Sequence, residues 1–376
     1  MAKKRGAGEG SITKRKDGRW SAILTVGYSE AGKRLRRSVY GATKSEVTTK
    51  LTRLQNQKLD GTLTATTRIT MGDYLDRWLG DAVKLSARPT THQSYEQLCR
   101  LHIKPLIGGL QLTKLSPANV QWLYAELGRQ GKSRRIQYQC HAVLHRALEV
   151  ALKWGLVARN VSDAVERPTV RTAEVKPLDS EAVRKFIRAA AGDRLEALYV
   201  MALCTGARQG ELFGLRWDDV DLQNQTVQIR RTIVEMGGEF HEHEPKTEKG
   251  KRLIVLPAMA VEALHEQRKR LLAEGLLGGG LVFPDHAGGY LRRQNVCRRS
   301  FAAILKAAKL PDTVRFHDLR HSHATMLLTA GIHPRVVQER LGHSQIAVTL
   351  GTYSHVLPTM QADAAAKVQT IMSEVG

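Results

Sequence analysis

Apolar positions in the first part of the chain recur every second residue. Trp20, Ala22, Leu24, Val26 and Tyr28 alternate with Ser21, Ile23, Thr25 and Gly27, which predicts a half-buried strand. Lys16-Asp17-Gly18-Arg19 before it carries the Asp-Gly signature of a tight hairpin turn, and Gly32 opens a second turn. In the next strand Leu35 and Val39 point inward, with Arg34, Arg36 and Ser38 on the other side. Thr43-x-x-Glu46 is a capping box, and Val47, Leu51 and Leu54 stripe the helix behind it. The expectation for residues 1–60 is a small three-stranded sheet plus a helix.

After a polar stretch at 59–69 the period changes from two to helical. Thr70-x-x-Asp73 caps a helix with Tyr74, Leu75 and Trp78 on its face. A second helix is expected from about Thr90 to Ile103, ended by Pro105 and Gly108-Gly109. Ser116-Pro117 starts a third, an N-cap followed by proline at the first helical position. A fourth spans roughly Arg135 to Trp154. Residues 70–165 therefore read as an all-α bundle. Residues 166–177 hold two prolines and no apolar period, the best interdomain linker. Asp179-Ser180 then caps the first helix of a third domain, 175–376, which is mainly α with a small sheet from Thr226–Thr232 and Arg252–Leu256. A last helix, Thr359 to Val375, carries the stripe Met360, Ala364, Val368, Ile371 and Val375. The fold class is thus multidomain α+β.

Charge narrows the partner. The 376 residues carry a formal net charge of +22 and a pI near 10.1. Residues 1–68 hold 16 Lys+Arg against 5 Asp+Glu, so about half of the excess lies in under a fifth of the chain. Such an imbalance points to a polyanion, nucleic acid first and an anionic membrane surface second. No run of about 18 apolar residues exists to span a bilayer, and MAKKRGAGEG has no apolar core behind its basic residues to act as a secretory signal. Cys99, Cys140, Cys204 and Cys297 are scattered, as expected of reduced thiols in a cytosolic protein. His241 and His243 form an HxH pair but lack a convincing partner set, so no metal site is expected. Aromatic residues are 5% of the chain, which argues against base-stacking on single strands. Candidate DNA contacts are Lys14, Arg15, Lys16, Arg19, Arg34, Arg36 and Arg37 in the basic module, and Lys132, Arg134 and Arg135 in the bundle. A solvated basic face is the plain alternative for both groups.

The chemistry concentrates between His317 and Tyr353 in HDLRHSHATMLLTAGIHPRVVQERLGHSQIAVTLGTY. His317 and Arg320 are three apart and share a helix face. Leu341-Gly342-His343 follows, and Tyr353 lies ten residues beyond that histidine. Arginine presents a planar fork to two phosphate oxygens, and an activated tyrosine forms covalent intermediates. Upstream stands Thr205-Gly206-Ala207-Arg208-Gln209-Gly210-Glu211-Leu212, where Arg208 and Glu211 also share a face. Singly, each of these is an ordinary helix pair or surface residue.

Jointly they resemble the tyrosine recombinases, the phage-integrase family of site-specific DNA recombinases. Residues 1–60 resemble the arm-type DNA-binding domain of phage integrases, and HIKPLIGGLQLTKLSPANV resembles the SAM-like core-binding domain. The resemblance implies that Arg208 and Arg320 hold the scissile phosphate. It implies that His317 and His343 donate to its non-bridging oxygens, with His317 also accepting the tyrosine proton. Glu211 takes an orienting role. Lys246, in Pro245-Lys246-Thr247, matches the family's hairpin lysine, which protonates the leaving oxygen; Lys249 and Lys251 are neighbouring alternatives. The resemblance further implies that Tyr353 is the nucleophile, forming a 3′-phosphotyrosine link and a free 5′-hydroxyl with no metal, ATP or cofactor. His321, His323 and His355 fall outside the catalytic set, and Gly351 stands where many relatives carry an acidic residue.

The implied partners are double-stranded DNA at core-type and arm-type sites and a homotetramer on that DNA. A host DNA-bending protein and an excisionase are further implied partners. Two other readings remain at this point, a type IB topoisomerase-like nicking and resealing enzyme and a catalytically decayed DNA-binding regulator.

Overall fold

The computed structural model describes residues 10–28, 34–59, 69–170, 177–244, 250–347, 350 and 359–374. The chain divides into two compact units, Met1–Thr172 and Ala173–Gly376. Lys246 and Lys249, Gly351, Tyr353 and His355 lie outside the described residues.

The first unit begins with an antiparallel sheet in the order β1 (Ser11–Lys14), β2 (Trp20–Tyr28), β3 (Arg34–Gly41), followed by the helix Lys44–Leu59. Alternation decides its faces. Ala22, Leu24, Val47, Leu51 and Leu54 are buried together, with Ile12, Trp20 and Val39 packed on them. Thr43 Oγ1 accepts from the Glu46 amide at 3.2 Å, as the capping sequence predicts. Arg36 pairs with Thr25 and Arg37 with Leu24. Directly opposed residues share a face, so Arg37 lies on the helix-covered side and not beside Arg36.

Residues 69–170 build a helical bundle around Met71, Tyr74, Leu75, Trp78, Ile103, Leu123 and Leu144. The N-caps are those legible in the sequence. Thr70 caps Met71–Trp78, and Ser116 caps Pro117–Arg129 through a capping box with Asn119. The helix Arg134–Lys153 supplies the Ala147 carbonyl that accepts from the buried Tyr74 hydroxyl at 2.5 Å. Pro105 does not end its helix. Pro89–Leu98 continues through a π turn at Cys99–Ile103 into Lys104–Ile107, where proline sits in the first turn. The widened turn shifts the hydrogen-bond ladder at the point where proline has no N–H to give.

In the second unit the helices Ser180–Ala190, Glu196–Thr205 and Ala258–Ala273 surround a core that includes Phe186, Leu198, Tyr199, Val227, Leu264 and Phe283. Asp179 caps the first of them, its Oδ1 accepting from the Ala182 amide at 2.7 Å. β4 (Val220–Asp221), β5 (Thr226–Ile229) and β8 (Arg252–Val255) form one small antiparallel sheet, and β6 (Thr232–Met236) pairs with β7 (Glu239–His243) as a separate hairpin. The expected single strand Thr226–Thr232 is therefore two. Arg230 and Arg231 leave the ladder to meet the buried Asp219, at 3.7 and 2.5 Å. In the last helix, Thr359–Glu374, Val368 and Ile371 are exposed along with Met372. The side chains of Met360, Ala364 and Val375 lie outside the described residues. Among the described residues no helix is long and apolar enough to cross a membrane.

Candidate active site

Two arginine boxes carry the candidate residues, a first at Thr205–Leu212 with Arg208 and a second at His317–Arg320; the first is made by a helix that must stop. Glu196–Thr205 is buried along nearly its whole length and ends at Gly206, whose φ of +63° is the left-handed conformation that favours glycine. Thr205 Oγ1 closes the turn, donating to the Met201 carbonyl at 2.6 Å and accepting from the Ala207 amide at 3.1 Å. The chain then bends so that Arg208, extended, heads the short helix Gln209–Phe213. That helix lies close on β6; a Cβ on Gly210 would come within 2.6 Å of the Ile233 carbonyl oxygen.

Glu211 is 3% exposed and fixes Arg208 at both ends. Its Oε2 accepts from the Arg208 amide at 2.9 Å and its Oε1 from Arg208 Nη1 at 2.8 Å. Oε2 also accepts from Arg252 Nη2 at 2.8 Å. Burial opposes ionisation of this carboxyl, but the Arg252 and Arg208 guanidiniums override it and hold Glu211 below the usual carboxylate range. Sequence pattern places Arg252 only at the start of a strand; its part in this network is a long-range contact with no local signature.

The second box sits on Phe316–Thr329, whose first turn is tied down by Arg315 and Asp318 at 2.7 and 2.8 Å. Arg320 is 3% exposed. It donates through Nη1 to the Gly206 carbonyl at 2.6 Å and through Nη2 to the Leu341 carbonyl at 2.8 Å. Both acceptors stand at helix C-termini, where carbonyls lack intrahelical partners and the helix dipole favours a cation. The helix Pro334–Leu341 ends in Gly342 at φ +67°, and the Gly342 carbonyl accepts from Arg208 Nη2 at 3.4 Å. His343 follows at once. Its amide donates to the Gln338 carbonyl at 3.1 Å, and Gln338 Nε2 donates to the His343 carbonyl at 3.0 Å. Arg208, Arg320 and His343 thus converge on one helix end.

The histidines divide by environment. Desolvation, then the Arg320 and Arg208 charges, push His343 down to about 4, so it is neutral at pH 7. His317 keeps an exposed edge, yet desolvation of its inner side and the neighbouring His321 and Arg320 shift it in the same direction. The His317 and His321 rings meet edge to face at 4.9 Å. His323 points the other way. It is buried, its Nδ1 lies 2.7 Å from the Leu203 carbonyl, and burial pushes it down to about 4.

Arg208 and His317 open onto one groove of about 1740 Å³, whose walls also carry Arg293, Arg298, Lys306 and Arg315. Sequence pattern misses these four cations because nothing in their spacing marks them. The candidate contacts Lys14, Arg15, Lys16, Arg19, Arg34, Arg36, Arg134 and Arg135 are exposed, while Lys132 and Arg37 are half-buried. Arg15 lies over the Tyr40 ring at 5.3 Å and meets Asp17 at 3.4 Å. His241 and His243 lie in β7 with stacked rings 6.4 Å apart. Among the described residues, His145, Glu149 and Asp163 place ligand atoms within 4.8 Å of one another, in the other unit. His145 is there bonded to Asp163 at 2.9 Å and Glu149 to Asn160 at 3.0 Å.

Comparison with known proteins agrees along the chain. The model of the phage integrase family matches residues 176–360, and that of the phage integrase N-terminal SAM-like domain matches residues 70–128. An integrase of Streptomyces ambofaciens is 32% identical over 97% of this chain and 97% of its own length. A "tyrosine recombinase XerC-like" protein of Caldanaerobacter subterraneus subsp. tengcongensis is 30% identical over 92% and 94%. Among solved structures, the Tn1549 transposon integrase in complex with transposon right end DNA superposes with a TM-score of 0.66 at 21% identity, over 76% of this chain and 94% of that one. A lambda integrase tetramer bound to a Holliday junction gives 0.57 at 18% identity, over 89% and 95%. The chain belongs to the phage integrase family of tyrosine recombinases, enzymes of site-specific DNA recombination.

Proposed function

We propose that this recombinase cuts and rejoins DNA through Tyr353, with Arg208, Arg320, His317, His343 and Lys246 as the groups that assist it, integrating and excising a mobile element. The observation that carries the reading is the convergence of Arg208, Arg320 and His343 at the end of the helix Pro334–Leu341. Two guanidiniums so placed stabilise charge on a pentavalent phosphate, the work a metal ion does in other enzymes. The Tyr353 oxygen attacks phosphorus, its proton passes to the neutral His317, and the bond to the 5′-oxygen breaks. Lys246 gives that oxygen a proton. The 3′-phosphotyrosine keeps the ester energy, so a 5′-hydroxyl of a second duplex reverses the step and exchanges strands.

The same reading assigns three modules, 1–60 for arm-type sites, 70–165 for core-type sites and 175–376 for catalysis. The basic strands of the first, the exposed cations at Arg134 and Arg135 and the cationic groove support DNA as the partner. The exposed Val368, Ile371 and Met372 fit docking on another protomer of a homotetramer, the assembly seen in the lambda integrase junction complex. The four free thiols fit a reducing cytoplasm. A host DNA-bending protein and an excisionase complete the set by family resemblance.

The test is covalent trapping. Wild type and Tyr353→Phe are incubated with a nicked suicide duplex bearing the cognate site. Wild type yields a protein–DNA adduct, and the variant binds the duplex without forming one. An adduct in the variant removes Tyr353 from the mechanism.

A further inference from the structure

Arg252 opens β8 and points into the second unit with 8% of its surface exposed. A buried guanidinium is costly unless its donors are met, and all three of its nitrogens are engaged. Nε donates to the Arg340 carbonyl at 2.6 Å, Nη1 to the Gly250 carbonyl at 3.1 Å and Nη2 to Glu211 Oε2 at 2.8 Å. Two of these acceptors lie directly behind the groups assigned to the phosphate. Glu211 holds Arg208 with its other oxygen at 2.8 Å. Arg340 lies two residues before Gly342, whose carbonyl also receives Arg208.

We infer that Arg252 is a positioning residue that locks the arginine box to the Leu341-Gly342-His343 segment and so sets where Arg208 meets the scissile phosphate. The inference rests on the reading of Arg208 as a phosphate clamp and deepens it. Arginine is required in this place because its planar fork spans three acceptors in different directions, whereas lysine offers one nitrogen on a flexible stem. A purely structural arginine would lower the amount of folded protein and leave the rate of each folded molecule unchanged. A positioning arginine lowers that rate.

Full-length Arg252→Gln and Arg252→Lys, alone and with Glu211→Gln, are compared by affinity for the cognate duplex and by the first-order rate of adduct formation at saturating protein. Affinity should stay within about threefold, since phosphate contacts along the duplex dominate it. The rate constant should fall by roughly 10²-fold in Arg252→Gln, the scale expected of a displaced catalytic group, and less in Arg252→Lys. In the Glu211→Gln background the Arg252 substitutions should add under about threefold, because both act through one carboxylate. A wild-type rate constant in a folded Arg252 variant, or losses that multiply in the double variant, overturns the inference. Failure of both variants to fold also overturns it and leaves Arg252 to the scaffold. Tyr353→Phe runs alongside; an adduct there sinks the underlying mechanism instead, so the two failures are distinct.

Discussion

Replacing Gly206 by alanine strains the turn on which both arginines depend. Its φ of +63° places an L side chain in the left-handed region, at a cost of about 1–2 kcal/mol. The new Cβ would lie 2.6 Å from His323 Cδ2 and 2.7 Å from Leu341 Cδ2. Both neighbours are buried, so relief requires a shift of the core, and overpacking of this kind costs about 1–3 kcal/mol. The sum is about 2–5 kcal/mol. Gly275 provides the control. It has φ +70° after the helix Ala258–Ala273, and a Cβ there would meet nothing within 4 Å, so Gly275→Ala carries the backbone cost alone. The Gly206 carbonyl also receives Arg320 Nη1, so a shifted turn displaces the guanidinium proposed to hold the phosphate, and on that proposal cleavage should fall by roughly 10²-fold. Urea unfolding of the full-length protein, followed by hydrogen exchange in Glu196–Thr205, reads the stability. Trapping on a suicide duplex reads the chemistry. Equal destabilisation by the two substitutions, or wild-type cleavage in Gly206→Ala, refutes the reasoning.

Two further outcomes are expected. His323 is held near 4 by burial against an ordinary value of 6.5. The unfolded chain therefore takes up a proton first; the stability due to neutral His323 is full above about pH 6.5 and is lost as the pH falls toward 4, by up to about 1.4 kcal/mol per pH unit. Urea titrations at pH 7 and pH 5 should show this loss, reduced in His323→Asn, and an equal loss in the variant sinks the assignment. Deleting residues 1–68 should lower DNA affinity and flatten its salt dependence by about 0.9 in log–log slope per lost phosphate contact. An unchanged slope, measured by fluorescence anisotropy across a salt series, would show that the basic strands do not contact DNA.

Local signals make much of the fold legible in the sequence. The caps at Thr70, Ser116 and Asp179 are local hydrogen bonds over three residues, and each forms where its residue types predict. The helix spacing of His317 and Arg320 is legible for the same reason. Pro105 misleads because the widened turn Cys99–Ile103, whose Cys99 and Ile103 are buried in the bundle core, accommodates its missing N–H and the helix runs on to Ile107. The break at Arg230 and Arg231 depends on Asp219, eleven and twelve residues earlier, which spacing within the strand does not reveal. Arg252 is the clearest case, since its bond to the Arg340 carbonyl spans 88 residues. Residue types on their own identify the candidate clamps, whereas what holds those clamps is a property of tertiary contact.

The choice of acceptors explains how so many arginines gather without cancelling the charge that the proposed phosphate binding needs. Arg320 donates to the Gly206 and Leu341 carbonyls, and Arg340 to those of Cys204 and Val255. Arg252 donates to the Arg340 and Gly250 carbonyls as well as to Glu211. Apart from Glu211, each of these acceptors is a neutral carbonyl. Carboxylates in their place would hold the guanidiniums equally well but would neutralise the field that attracts a phosphodiester. Helix ends supply partial negative charge of about half a unit, enough to orient a guanidinium and too little to quench it. Glu211 departs from the pattern because it fixes two arginines at once, and one carboxylate between two guanidiniums still leaves a net positive charge facing the groove. Bonds of this kind fix the guanidiniums of Arg208 and Arg320 in place, which on the proposed mechanism is the condition under which charge stabilisation of a transition state costs no reorganisation.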